Sequence, residues 1–329
     1  MTTLITGGGG FLGSGIARAL LDRGESVRIL ARGDYPDLRA LGIETIRGDI
    51  ADADTVDAAV KGCVTVYHTA AKAGVGGRYA SYYAPNVVGT ENVIAACGKN
   101  GVPKLIFTSS PSVAFDGSDQ EGLDESAPYP HRFLAAYPET KAIAERAVLA
   151  ANGPTLSTVA LRPHLIWGPG DSQLVPRLIE RAQRNRLRIL GSGNQRVDAT
   201  YIDNAVHAHL LAGDRLEPGA PCAGKAYYIT NDEPIAIAEL INAILRAGGV
   251  PPVSKHISPG LAYVAGAVLE VVYRLFGRDD EPPMTRFVAR QLSTAHWYDI
   301  SAAKRDLDYA PIVNTEKGLH LLAESLAKF

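Results

Sequence analysis

The run Tyr137-Pro138-Glu139-Thr140-Lys141 carries the sharpest chemical signal in the chain. Residues i and i+4 of a helix share one face, so the Tyr137 phenol and the Lys141 ammonium can converge on a common point. Pro138 is tolerated only in a first helical turn, which sets Tyr137 at the start of its helix. A free phenol, with a pKa of ~10, is a poor acid–base group at neutral pH. Lowering that value by about three units takes roughly 4 kcal/mol of differential stabilisation, and Lys141 is the expected source. Upstream, Phe107-Thr108-Ser109-Ser110-Pro111-Ser112-Val113 brings hydroxyls to the end of an apolar strand. A hydroxyl there can hydrogen-bond a carbonyl oxygen and steady the oxyanion while the phenol transfers its proton. Ser110 is the expected anchor, with Ser109 and Ser112 as alternatives. Against these stand a chance surface pair at 137 and 141 and ordinary turn serines.

Such groups must be positioned by elements, and the first of these opens the chain. Thr6-Gly7-Gly8-Gly9-Gly10-Phe11-Leu12-Gly13 lies between a strand, Leu4-Ile5-Thr6, and a helix of roughly 13–23. Gly7 lets the chain turn sharply, Gly10 lets backbone approach a pyrophosphate, and Gly13 permits close helix packing. The phosphates would sit at the helix N-terminus, where unpaired N–H groups and the dipole favour negative charge. Four glycines could also make a merely flexible turn, but the strand–turn–helix context points to a dinucleotide. The positive ring of an oxidised nicotinamide would then add to the pull of Lys141 on the phenol. At the end of the second strand an acidic residue would bind the ribose 2′-hydroxyl; here the chain has Ala31-Arg32. The planar fork of Arg32 suits a 2′-phosphate, so NADPH is expected ahead of NADH. The competing reading of Arg32 is a solvated side chain. Asp49, after the third strand, can accept a bond from the adenine amino group, or cap a helix starting at Ala51, or both. Lys72 is assigned no role.

The wider pattern explains how these pieces meet. Through residue 161, short apolar runs (27–30, 43–46, 64–67, 104–108, 157–161) alternate with helical stretches (51–61, 86–99, 136–151). Strands joined by helix-length crossovers predict a doubly wound α/β fold, a parallel (Rossmann) sheet covered on both faces. Residues 1–165 form the dinucleotide-binding part, to which 198–232 returns. Residues 166–197 and 233–329 form a smaller, mostly helical substrate lobe. Arg177, Arg181, Arg184 and Arg188 read as a solvated basic helix face rather than a diphosphate site. The 329 residues are 46% apolar and 21% charged with net charge −2, which excludes a disordered chain and a global field for nucleic acid. Cys63, Cys97 and Cys222 lack metal or disulfide spacing, so no metal is expected; with no signal-peptide pattern at the start, the cytoplasm is the expected compartment. The stretch 260–276 is apolar but contains Glu270 and Arg274, and is shorter than the ~20 residues that span a bilayer. A core helix is the commoner reading, with an acyl-chain pocket or peripheral membrane contact as the sharper alternative.

Taken together, TGGGGFLG (6–13), RGDI (47–50), HTAA (68–71), NVVGT (86–90), TSSPSV (108–113), YPETK (137–141) and LRPHLIWGPGD (161–171) resemble the extended short-chain dehydrogenase/reductases. IWGPGD, YIDNA (201–205) and HWYD (296–299) are similar to the 3β-hydroxysteroid dehydrogenase-like branch. Within it, AAKAG (70–74), QLVPRL (173–178), CAGKAYYITNDEP (222–234) and EPPMTRF (281–287) resemble the 2-alkyl-3-oxoalkanoate reductases of bacterial olefin biosynthesis. The resemblance implies Tyr137 as general acid/base, Lys141 as its activator and ribose ligand, and Ser110 as carbonyl anchor. It implies pyrophosphate contacts at Gly7, Gly10 and Gly13; Phe11, Leu12, Arg32, Asp49, Ile50, Ala70 and Ala71 are the further expected cofactor contacts. Backbone just after Pro163, with Leu165, would meet the nicotinamide. Asn86 falls where the family has a helix asparagine, and could equally be a buried residue satisfying backbone. The family often carries an acid where this chain has Arg32, which departs from an NAD preference. The resemblance also implies a lipid-like ketone substrate, a homodimer and association with other olefin-pathway enzymes. Two readings stay open beside it: a sterol- or nucleotide-sugar-acting relative, and a non-catalytic cofactor sensor, which would have no need of Ser110, Tyr137 and Lys141.

Overall fold

The computed structural model describes residues 2–278 and 280–327. Strand β1 (Thr2–Thr6) is an interior strand of a seven-stranded parallel sheet, flanked on one side by β2 (Ser26–Ala31) and β3 (Glu44–Arg47). On the other side follow β4 (Cys63–His68), β5 (Lys104–Thr108), β7 (Ser157–Pro163) and a last strand, Lys225–Ile229. Chain order therefore reverses between β1 and β4, the place where open parallel sheets leave a crevice for ligands.

Alternate residues of each strand feed opposite cores. Ile5, Ile29, Ile106 and Val159 pack with Ile16 and Leu20 of helix α1 (Phe11–Asp22). Leu4, Leu105, Phe107 and Ala160 face the other layer. That layer holds α3 (Ala53–Val60), α5 (Gly89–Asn100) and α6 (Ala136–Ala150), packed in that order; α2 (Pro36–Ala40) and α4 (Tyr79–Tyr83) are short connectors.

Some expected boundaries are corrected. The helix expected from 86 begins at Gly89, preceded by one wide π turn over Ala84–Val88 in which Pro85 has no N–H to give. Asp49 does not cap a helix: Asp52 caps α3, while the Asp49 carboxylate accepts only the nearby Ala51 N–H. The region beyond Pro163 is less purely helical than expected. Helices α7 (Leu174–Gln183), α8 (Ile202–Arg215), α9 (Ile237–Ala247), α10 (Pro259–Leu275) and α11 (Arg286–Ser293) accompany a small second sheet. That sheet joins Ile235–Ala236, Arg196–Val197, His296–Tyr298 and β6 (Gln120–Leu123), so it draws one strand from the first half of the chain.

Helix α10 overturns the core-helix reading of 260–276. Only Ala262 and Gly266 are buried; a Cβ on Gly266 would lie 2.6 Å from the Thr285 backbone, at the crossing with α11. Leu261, Val264, Val268, Val271 and Leu275, at helical spacing, are more than half exposed. No helix among the described residues is long and apolar enough to cross a membrane.

One ion pair is sealed inside, on the helix that carries Tyr137 and Lys141. Arg162 of β7 makes two bonds to Glu145 of α6, Nη2 to Oε1 at 2.6 Å and Nε to Oε2 at 2.9 Å, with both side chains almost wholly buried. Burial pushes the Glu145 carboxyl up, but the Arg162 guanidinium outweighs it and holds the pKa below the usual value. Removing one partner strands the other charge in low dielectric. Arg162→Met is expected to cost about 3–5 kcal/mol in urea unfolding; a loss within error of zero would show that water reaches Glu145.

Candidate active site

The glycine loop is shaped by contacts a side chain would block. Gly7 turns with φ +70° and its missing Cβ would meet the Ala70 backbone at 2.8 Å; on Gly13 a Cβ would sit 2.4 Å from the Gly7 carbonyl oxygen. Helix α1 starts at Phe11 with no side-chain cap and no acid in its first turn, which leaves its leading N–H groups for an outside anion. Two cavities flank this loop and share Gly10, Thr69 and Ala71. One, of about 340 Å³, is lined by Gly7, Arg32, Asp49, Ile50 and Ala70. The other, of about 460 Å³, is lined by Phe11, Leu12, Ser110, Tyr137, Lys141 and Pro163. Leu165 also reaches the second cavity, held at φ +44°. Gly13 lines neither and serves packing. The cradle, the open helix end and two connected cavities fit an elongated dinucleotide.

Ser110 and Tyr137 come together. Ser110 lines the same cavity as the half-buried Tyr137, near enough to lower the phenol's pKa, and its Oγ lies 2.9 Å from Ser112 Oγ. Ser109 and Ser112, both buried, line the same cavity, and Ser112 backs Ser110. Burial raises the Tyr137 pKa above the ordinary phenol value and Ser110 offsets part of that rise. The expected activation by Lys141 is therefore not seen in this state. Lys141 Nζ instead donates to the Thr108 carbonyl at 2.6 Å and stands 4.0 Å over the Phe107 ring. Burial pulls its pKa down to about 7, with the Glu145 charge opposing. Desolvation, which disfavours either charged form, outweighs their mutual help.

Asn86 touches neither cavity. Its amide donates to the Lys72 carbonyl and to Thr140 Oγ1, both at 3.0 Å, and accepts the Lys72 N–H at 2.7 Å. It belongs to a buried file that sequence reasoning missed. Thr90 Oγ1 donates to the Asn86 carbonyl at 2.7 Å, so it accepts from His68 Nε2 at 2.9 Å. The other ring nitrogen, His68 Nδ1, then accepts from Thr6 Oγ1 at 2.6 Å. Burial, aided by the Lys141 charge, holds His68 neutral, with a pKa of about 3. The file links the end of β1 to Thr140, between Tyr137 and Lys141. Only the HTAA resemblance marked His68.

Other residues escaped notice for lack of any periodic signal. His164 and Tyr298 wall the catalytic cavity; His164 Nδ1 donates to the Asp198 carbonyl at 2.7 Å, and the Tyr298 hydroxyl to Gln120 at 3.0 Å. Tyr35 lays its ring over the loop, where a Cβ on Gly9 would strike it. Arg47 Nε donates to the Arg32 carbonyl at 3.2 Å, so a second guanidinium stands at that strand end. The arginines of α7 are largely engaged: Arg177 pairs with Glu281 and Arg184 with Glu180.

Residues 4–258 match the model of the 3-beta hydroxysteroid dehydrogenase/isomerase family. The chain belongs to that family. It is 52% identical to a 2-alkyl-3-oxoalkanoate reductase of Stenotrophomonas maltophilia (strain K279a), over 99% of this chain and 100% of the relative. A human sterol-4-alpha-carboxylate 3-dehydrogenase (decarboxylating) is 36% identical over 98% of this chain and 87% of its own. Among solved structures, MoeE5 in complex with UDP-glucuronic acid and NAD superposes with a TM-score of 0.77 at 25% identity, covering 100% and 99% of the two chains. As a family member the chain is an NAD(P)-dependent oxidoreductase of the short-chain dehydrogenase/reductase superfamily, and its cofactor is a nicotinamide dinucleotide.

The buried lysine sets a pH limb. Lys141 carries its charge below about pH 7 and loses it above. The kcat/KM for carbonyl reduction is expected to fall as pH rises through that value, and Lys141→Arg, whose guanidinium does not titrate, to flatten the limb at a lower plateau. An unchanged limb in Lys141→Arg would assign the titration to another group.

Proposed function

We propose that this enzyme reduces the 3-oxo group of a 2-alkyl-3-oxoalkanoate to the 3-hydroxy acid with NADPH. The observation that carries the reading is the Ser110–Tyr137 pair, two hydroxyls in one cavity beside the glycine cradle. The dinucleotide supplies the hydride. Ser110 and Tyr137 both point a hydroxyl at the same small volume, so a carbonyl oxygen placed there accepts from both. Tyr137 then transfers its proton to that oxygen, and a phenol whose pKa burial has raised is fully protonated and ready to give at neutral pH. Lys141, held by Thr108 and Phe107, lies one turn along the same helix and stabilises the phenolate left behind. Support for the substrate class comes from the full-length likeness to the Stenotrophomonas reductase. The exposed aliphatic face of α10, a helix that also walls a cavity reaching Tyr137, suits a substrate with long hydrocarbon chains.

For the cofactor, Arg32 is exposed at the rim of the 340 Å³ cavity with Arg47 tied to its backbone. Two guanidinium groups there suit a 2′-phosphate and no carboxylate of that cavity's wall other than Asp49 opposes them.

Tyr137→Phe is expected to bind NADPH as wild type does, by fluorescence titration, while kcat on a 2-alkyl-3-oxoalkanoate falls by at least ~10²-fold; unimpaired turnover would remove Tyr137 as the acid. Arg32→Ala should weaken NADPH far more than NADH in the same titration, whereas equal weakening of both would end the 2′-phosphate assignment.

A further inference from the structure

A second wall of Tyr137 faces a different cavity, of about 520 Å³, formed by α10, the loop before α11 and the segments around 76–79 and 134–137. It is strongly basic: Arg78, Arg274, Arg278 and Arg286 line it, against Glu270 and Asp280. Both carboxylates are already committed. Glu270 accepts the Arg286 N–H at 2.7 Å and its Nε at 2.8 Å. Asp280 takes Arg278 through Nε at 2.9 Å and Nη2 at 2.6 Å, and the Arg278 guanidinium also stacks 4.5 Å from the Tyr273 ring. Glu281, just outside the cavity wall, is paired with Arg177 at 2.8 Å. Arg274 is different. Among the described residues it has no ion pair, hydrogen bond or ring partner, although residues 270, 273 and 274 share one helix face turned to the cavity.

We infer that Arg274 is the anchor for the substrate's carboxylate, and that this cavity selects 3-oxo acids over neutral ketones. The assignment rests on the oxoalkanoate reading given above. A guanidinium presents paired donors that match the two oxygens of a carboxylate, and no carboxylate among the described residues pairs with that of Arg274. The charge of Arg274, unpaired among the described residues, also draws an anion into this cavity. In a 3-oxo acid the carboxylate stands two carbons from the carbonyl. Tyr137 lines both this cavity and the one that holds Ser110, so an acid whose carbonyl sits between Ser110 and Tyr137 directs its carboxylate past Tyr137 toward Arg274. Nothing else in the described cavity lining offers an unspent cation on α10.

The test compares two substrates of equal chain length, a 2-alkyl-3-oxoalkanoate and the ketone that lacks its carboxyl group, by NADPH absorbance. Wild type should prefer the acid. In Arg274→Gln the ratio of kcat/KM for acid over ketone should drop by about 10- to 100-fold, mostly through KM, as for loss of a charged hydrogen bond. Arg274→Lys should recover part of the ratio, and a thermal melt matching wild type would show that both variants are folded. An unchanged ratio in Arg274→Gln, or parallel losses on both substrates, overturns the anchor while leaving the oxoalkanoate reading intact. A wild-type enzyme inert toward both compounds overturns that reading, and this assignment with it.

Discussion

Between the glycine cradle and the catalytic helix lies His68, fully buried, with only hydroxyls for its two ring nitrogens to meet. Each hydroxyl has a single hydrogen, and the one on Thr90 is spent on the Asn86 carbonyl. That settles every direction in the file, from Thr6 at the end of β1 to Thr140 inside the catalytic segment. A buried polar group left without a partner costs on the order of 1–3 kcal/mol, so slippage of any one element would break more than one bond. The loop that receives the dinucleotide and the helix that carries Tyr137 and Lys141 are thereby set in one frame. The π turn is part of it: by opening the helix at Ala84–Val88 it turns Asn86 toward the Lys72 backbone and Thr140.

Electrostatics in that frame are governed by dehydration. Lys141 is drawn down to about 7 and His68 to about 3, because water is absent from both, while Tyr137 is pushed up. Glu145, one turn beyond Lys141, keeps its charge through Arg162 and lends part of its field to the lysine. The apparatus therefore rests with its phenol protonated, the form that a carbonyl reduction consumes. On the proposed mechanism, charge pairing of phenolate and ammonium belongs to the moment after proton transfer.

The sequence was most legible where local rules act alone. Period-2 and period-3.6 patterns, glycine positions and the Tyr137–Lys141 spacing each follow from backbone geometry, and β5 lies at Lys104–Thr108 as its apolar run predicts. The His68 file was hidden because its members come from four separate segments and meet only after folding. Asp49 misled because Asp52, three residues on, offers the same capping chemistry. The 260–276 run misled for a different reason: apolar composition does not say which face is covered, and only the small residues Ala262 and Gly266 of α10 are buried. The second sheet was invisible because its strands run two to four residues, too short for any alternation to register.

A crystal structure of the enzyme with oxidised dinucleotide and a 2-alkyl-3-hydroxyalkanoate tests this architecture most directly. The account requires the substrate's C-3 oxygen within hydrogen-bond reach, roughly 2.6–3.2 Å, of both Tyr137 Oη and Ser110 Oγ. A C-3 oxygen bound away from that pair, with the phenol turned to solvent, would contradict it.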